Sequence, residues 1–126
     1  MKVVDAGIVI DVLTGVIDPA RLGSEPLAGP HLLDSEVMHV LRAMVMRGIL
    51  SEEQGATALD AFMLLALTRF PADPLRRRMW ELRHTLSAYD ATYVALAERV
   101  GATALLTTDA RLATAPGVRC KIELLR

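Results

Sequence analysis

The stretch Ser87-Ala88-Tyr89-Asp90-Ala91-Thr92-Tyr93-Val94-Ala95-Leu96-Ala97-Glu98-Arg99-Val100-Gly101 runs directly into Ala102-Thr103-Ala104-Leu105-Leu106-Thr107-Thr108-Asp109. Its first half opens on a capping box, with Ser87 at the cap and the Asp90 carboxylate three residues on, and Gly101 closes the helix so begun. Its second half, Ala102 to Thr108, is a short apolar stretch that reads as a buried strand ending at Asp109. The start of the chain supplies the matching pieces: Lys2-Val3-Val4 reads as a strand and Ile8 to Leu13 as a short helix. Strands alternating with helices at this spacing predict an α/β fold with a parallel sheet.

Outward from these two units, Asp18 to Pro30, with three Pro, two Gly and one Ser, is expected to be an irregular connection. Leu33, Val37, Leu41 and Met44 lay one apolar stripe along a helix that starts near Pro30 and ends near Arg47-Gly48. Ser51-Glu52-Glu53-Gln54 is a second capping box, opening a helix through Leu67. Asp73-Pro74 predicts a cap and first turn for a helix to about Arg83. A short helix at Ala110 to Thr114, a Pro-Gly turn and a last strand from Val118 to Ile122 complete the chain.

A length of 126 residues gives one domain, 1–126, and a core large enough to need no disulfide. The single cysteine, Cys120, reads as a buried structural thiol in a reducing, cytoplasmic setting. Asp5 interrupts any apolar leader, and the longest apolar stretch, Ala61 to Leu67, is seven residues, far short of a membrane span. Net charge is −1, which by itself does not advertise nucleic-acid binding. Four carboxylates committed to a cation would leave 14 basic against 11 acidic groups on the rest of the surface.

Ligands of open parallel sheets bind outside the carboxyl ends of the strands, so Asp5 and Asp109, which end strands, are the residues to inspect first. Asp5-Ala6-Gly7-Ile8 holds neither a glycine-rich phosphate loop nor a P-loop lysine. An acidic strand end attracts phosphate only through a cation, and carboxylate oxygens suit Mg²⁺ or Mn²⁺. Each acid also has a plainer reading. Asp5 and Asp109 fit helix caps, Asp90 the capping box, Glu36 an exposed helix position, and Asp34 and Asp11 solvated faces, Asp34 favouring a helix N-terminus. Thr107 and Asp109 share a face if the strand persists to its end.

The words around these acids are specific. Val3-Val4-Asp5-Ala6, Leu32-Leu33-Asp34-Ser35-Glu36-Val37 with Leu41-Arg42, Leu86-Ser87-Ala88-Tyr89-Asp90-Ala91 with Tyr93-Val94-Ala95-Leu96-Ala97, and Leu105-Leu106-Thr107-Thr108-Asp109-Ala110-Arg111-Leu112 together resemble the PIN-domain family, most closely its VapC-type toxin ribonucleases of type II toxin–antitoxin systems. The resemblance covers essentially the whole chain. It implies a single PIN-like domain with a parallel central sheet between helix layers, a three-layer α/β/α fold. It further implies an acidic cluster of Asp5, Glu36, Asp90 and Asp109, with Thr107 as accessory hydroxyl.

On that resemblance Asp5, Asp90 and Asp109 would ligate Mg²⁺ or Mn²⁺ directly or through water, and Glu36 would orient a water or complete a second position. The activity implied is endoribonuclease cleavage leaving a 5′-phosphate and a 3′-hydroxyl. The partners implied are RNA, a VapB-like antitoxin whose tail lies in a hydrophobic cleft, and a second copy of the chain. Two words depart from the pattern: Gly7 stands where similar proteins commonly have Ser, and Thr85 where they often have Asn.

Arg76-Arg77-Arg78 reads as solvated helix surface, while Arg83, His84 and Arg111 are better placed to meet phosphate. Met38, Met44, Met46 and Met63 read as core packing, with a partner groove as the sharper alternative. Phe62, Phe70, Trp80, Tyr89 and Tyr93 fall mostly at helical core positions, which argues against an aromatic stacking platform. A receiver domain needs an acidic pair after its first strand, and a haloacid-dehalogenase phosphatase a second Asp where Gly7 stands. The remaining rival is a non-catalytic PIN-type module that binds RNA or protein.

Overall fold

Short β-branched and apolar stretches pair into a parallel sheet made of β1 (Lys2–Val4), β2 (Leu27–Pro30), β3 (Leu67–Phe70), β4 (Ala104–Thr107) and β5 (Ile122–Leu124), in the order β3-β2-β1-β4-β5. The structure, a computed structural model, describes residues 1–125, so Arg126 at the end of the 1–126 span lies outside the described residues. Val3 and Val4 pair with Leu105 and Leu106 at the centre of the sheet, and all four are fully buried. Being covered on both faces, these central strands read as unbroken apolar stretches rather than alternating ones.

The helices are α1 (Ala6–Leu13), α2 (Leu32–Met46), α3 (Glu52–Leu64), α4 (Arg76–Glu81), α5 (Ala88–Arg99) and α6 (Ala110–Ala113). The first three pack on one another, whereas α5 lies on β1, β2 and β4 and carries α4. The strand order reverses after β3, and right-handed crossovers then send the later helices to the other side, giving the three-layer α/β/α arrangement. Ala91 to Ala97 of α5 are buried all round, and the small alanines let this helix sit close against the sheet. Ser51 and Gln54 form the reciprocal capping box expected at α3.

Several boundaries differ from the sequence reading. The connection from Asp18 to Pro30 is not irregular throughout: a 3₁₀ turn at Pro19–Leu22 leads into β2, an internal strand. Pro30 is tolerated there because the β1 ladder reaches only to Ala28, so its missing N–H falls beyond that partner. Helix α3 stops at Leu64 instead of Leu67, because Leu67 is claimed by the ladder to β2. Asp73 lies inside a 3₁₀ turn, Asp73–Leu75, and does not cap α4, which ends at Glu81 rather than near Arg83.

The last strand forms at Ile122–Leu124 rather than Val118–Ile122. The preceding loop is held to α5 by Glu98, whose carboxylate accepts from Arg78 at 2.7 Å and from the Arg119 N–H at 2.9 Å, while Arg78 also donates to the Gly117 carbonyl at 2.6 Å. Arg78 is thereby spent on structure. Cys120, next to this clasp, is half-buried, and burial pushes its thiol up to about 11.

Gly55 marks the close approach of α3 to α2: a Cβ there would lie 2.6 Å from Val45 Cγ2. Alanine in a helix interior ordinarily gains about 1 kcal/mol over glycine. Here the forced shift of a branched side chain reverses the sign, and Gly55→Ala is expected to lower the urea-unfolding free energy by about 1–2 kcal/mol. A stabilised variant would show that the two helices have slack.

Candidate active site

Strand order places the carboxyl ends of β1 and β4 side by side at the point where the topology reverses, the crevice where open α/β sheets bind ligands. Asp5 follows β1 and Asp109 follows β4. Both carboxylates cap the helix that comes next, Asp5 Oδ1 accepting from the Ile8 N–H and Asp109 Oδ1 from the Arg111 N–H, each at 2.9 Å. The capping reading and the cluster reading therefore hold together, because capping is what fixes the carboxylates in place.

Thr107 joins the two. Its fully buried hydroxyl donates to Asp5 Oδ2 at 2.5 Å and accepts from the Asp109 N–H at 3.0 Å. The strand ends at Thr107, so Thr107 and Asp109 do not share a strand face as expected; the hydroxyl of one bends the chain to present the other. A threonine buried at a strand end has to find partners, and here both lie in the site.

Glu36 enters from α2 and Asp90 from the first turn of α5. Ser87 caps α5 by accepting from the Asp90 N–H at 3.1 Å, but among the described residues the Asp90 carboxylate accepts no bond from the Ser87 N–H, so the capping box is half made; the carboxylate lies against the Ser87 side chain and feels the charge of Asp109. Burial raises the Asp5 carboxyl above its ordinary value, and the negative charges of Asp90 and Glu36 add to the rise despite the bonds from Thr107 and Ile8. Asp90 is also raised, by burial and then by Asp109. Asp109 is lowered, first by the Arg111 N–H. Glu36, Asp5, Asp90 and Asp109 are thus electrically linked. The exposed Arg111 is the cation against Asp109, at 3.5 Å.

Tyr93 is the residue that sequence reading missed. It is a core position, as expected, yet its hydroxyl donates to Glu36 Oε1 at 2.6 Å. Burial and the adjacent carboxylates push its phenol far above the usual range, which keeps it a donor. Two signals were present: a buried tyrosine needs a partner for its hydroxyl, and Tyr93 lies three residues from Asp90 on one helix face.

Other expectations change. Tyr89 and Trp80 are not core residues but 62% and 68% exposed. Tyr89 lines a groove of about 510 Å³ with Leu32, Glu36, His39 and Val40, while Trp80 is covered by the Arg83 guanidinium at 4.5 Å. Met38, Met46 and Met63 are exposed rather than packed in the core. Asp34 is not a free solvated acid, since Arg69 grips both its oxygens at 2.6 and 2.8 Å. Arg111 shares a cleft of about 330 Å³ with Asp90 and Asp109.

The donor set, all carboxylate oxygen, suits a hard divalent cation in kind. Among the described residues no three of these acids converge closely enough to chelate an ion by themselves. That fits an ion held by one or two carboxylates with water completing its shell, the habit of Mg²⁺. A carboxyl raised on folding adds stability that is full below its unfolded value near 3.8 and is lost as pH rises through the folded value. Asp90→Asn removes that loss. Without divalent cations it is expected to melt higher than wild type at pH 7, by roughly 3 °C, with the difference closing below pH 4. A lower melting point at pH 7 would show that Asp90 is not strained by its neighbours.

The comparisons with known proteins agree with this architecture. A family model described as PIN domain matches residues 2–118. Ribonuclease VapC1 of Mycobacterium tuberculosis is 45% identical over 130 residues, covering 98% of this chain and 97% of that protein. VapC ribonuclease Mb0985 of Mycobacterium bovis is 41% identical over 126 residues, covering 99% and 98%. The solved structure of VapBC2 from Rickettsia felis, bound to a DNA fragment from their promoter, matches with a TM-score of 0.71 at 16% identity over 98% of this chain and 97% of that one, a likeness of fold. With a family model matched over residues 2–118 and relatives this similar, the chain belongs to the PIN-domain family, among its VapC-type ribonucleases.

Proposed function

We propose that this chain is a Mg²⁺-dependent endoribonuclease, the toxin component of a toxin–antitoxin module, with Mn²⁺ able to substitute. One observation carries the reading: four carboxylates, Asp5, Glu36, Asp90 and Asp109, gather at the topological switch point, where Asp90 and Glu36 act on Asp5 and Asp109 acts on Asp90, with no buried basic residue among them. Like charges so placed cannot all stay ionised unless a cation joins them.

Asp5, Asp90 and Asp109 would hold the ion, one or two of them directly and the rest through water. When bound, it lowers the pKa of water and stabilises charge on phosphate oxygens during in-line hydrolysis. The protein's own groups do the rest. Glu36 keeps one oxygen on Tyr93 and has Oε2 free of that bond to orient an attacking water and take its proton. Thr107 locks Asp5 and Asp109 at fixed separation, so the site is organised before substrate arrives. Arg111, in the cleft with Asp90 and Asp109, meets a substrate phosphate, and the Tyr89 ring in the adjoining groove offers a face to a flanking base.

Ribonuclease is also the activity in the relatives' names. The Rickettsia neighbour is a VapBC pair, and the partner we infer for this chain is likewise a VapB-like antitoxin in the same cytoplasm. The exposed Met38 and Met46, with Leu41, Val45 and Leu59 in a groove between α2 and α3, offer an apolar bed for an antitoxin tail, and a homodimer is the assembly expected.

The test is incubation with total cellular RNA, with Mg²⁺, with Mn²⁺ or with chelator, mapping cut sites and ends. Discrete Mg²⁺-dependent cuts with 5′-phosphate ends are expected, falling about 100-fold or more in Asp109→Asn and about tenfold in Tyr93→Phe, which leaves Glu36 unheld. Intact RNA with both metals would overturn the nuclease reading in favour of a non-catalytic module.

A further inference from the structure

At position 7, two residues after Asp5 in the first turn of α1, a side chain would displace the Thr108 hydroxyl: a Cβ on Gly7 would lie 2.7 Å from Thr108 Oγ1 and 3.5 Å from Asp5 Oδ1. The space is taken by a hydroxyl that comes from another element. Thr107 closes β4 and Thr108 is the first residue past it. Thr107 turns inward and is fully engaged by Asp5 and Asp109. Thr108 turns over the α1 turn, half-buried, and its hydroxyl has no hydrogen-bond partner among the described residues. An unengaged hydroxyl that borders, with Asp5 Oδ1, the space a Gly7 side chain would enter is available as donor or acceptor to whatever the cluster binds.

We propose that Thr108 is a positioning residue of the acidic site, its hydroxyl orienting a water or phosphate oxygen beside Asp5, and that Gly7 is the residue that admits it. A serine at position 7, which the resemblance leads one to expect, would collide with Thr108; here the hydroxyl is carried by the second strand end instead of the first helix turn. Gly7 is then not a weakened site but half of a paired exchange. This proposal rests on the cation-assisted ribonuclease reading above.

The experiment compares wild type, Thr108→Val, Thr108→Ser, Gly7→Ser and the double variant Gly7→Ser with Thr108→Ala. Mn²⁺ binding is measured by calorimetry, and kcat and KM on a cleaved RNA, with melting temperature as the control for folding. Thr108→Val keeps the shape and loses the hydroxyl, so it should weaken Mn²⁺ about tenfold and lower kcat about tenfold with KM and melting temperature unchanged. Thr108→Ser should match wild type. Gly7→Ser alone should fall with Thr108→Val, because it displaces the hydroxyl, and the double variant should recover.

Equal Mn²⁺ affinity in wild type and Thr108→Val would overturn the proposal, as would a Thr108→Ser as poor as Thr108→Val. A wild type that binds Mn²⁺ but cuts no RNA would overturn the ribonuclease reading, while the Mn²⁺ affinities still decide the role of Thr108. A wild type that binds no Mn²⁺ would overturn both.

Discussion

The Thr107 hydroxyl is the constraint on which the rest of the site depends. It donates a hydrogen bond to Asp5 and accepts one from the Asp109 N–H, so one oxygen atom joins the ends of β1 and β4. The ladder between these strands sets them side by side, but a ladder alone leaves strand ends free to splay. Thr107 closes that end, and the two aspartates then start α1 and α6 from fixed points. Sheet, caps and cluster thus share a single set of hydrogen bonds.

The cost of this arrangement is electrostatic. Asp5 and Asp90 are both held above their ordinary values, chiefly by burial, and each acid opposes the charge on the next. The fold tolerates the repulsion because it is built on a fully buried apolar centre, Val3, Val4, Leu105 and Leu106, immediately below the acids. A destabilised cluster on a rigid base is the usual exchange of stability for activity. Tyr93 serves the same end from the other side, keeping Glu36 aimed at the cluster rather than at solvent.

Much of this was legible in the sequence, and the reasons differ by element. Lys2–Val4 and Ala104–Thr107 read as strands because burial on both faces leaves the apolar words Val3-Val4 and Ala104-Leu105-Leu106. The capping words at Ser51 and Ser87 marked helix starts because their hydrogen bonds span three residues. By contrast, β2 and β3 exist by virtue of each other: Leu27–Pro30 looks like loop and Leu67–Phe70 like a helix end until they pair. The shift of β5 goes with Glu98 holding a loop 21 residues on, which no local pattern announces. Within the site, the acids were legible from their words, whereas the Tyr93 bond to Glu36 spans 57 residues and the fit of Thr108 over Gly7 joins opposite ends of the chain. Exposure of Tyr89 and the methionines was misjudged because helical spacing says which residues share a face, not whether another element covers it.

The most direct test of the central claim is anomalous diffraction from crystals soaked in Mn²⁺. A single strong peak in the crevice between the carboxyl ends of β1 and β4, within coordination distance of Asp5 and lost in Asp5→Asn, is the result this account predicts. An ion seated away from that crevice, or none at concentrations that support RNA cleavage, would contradict it.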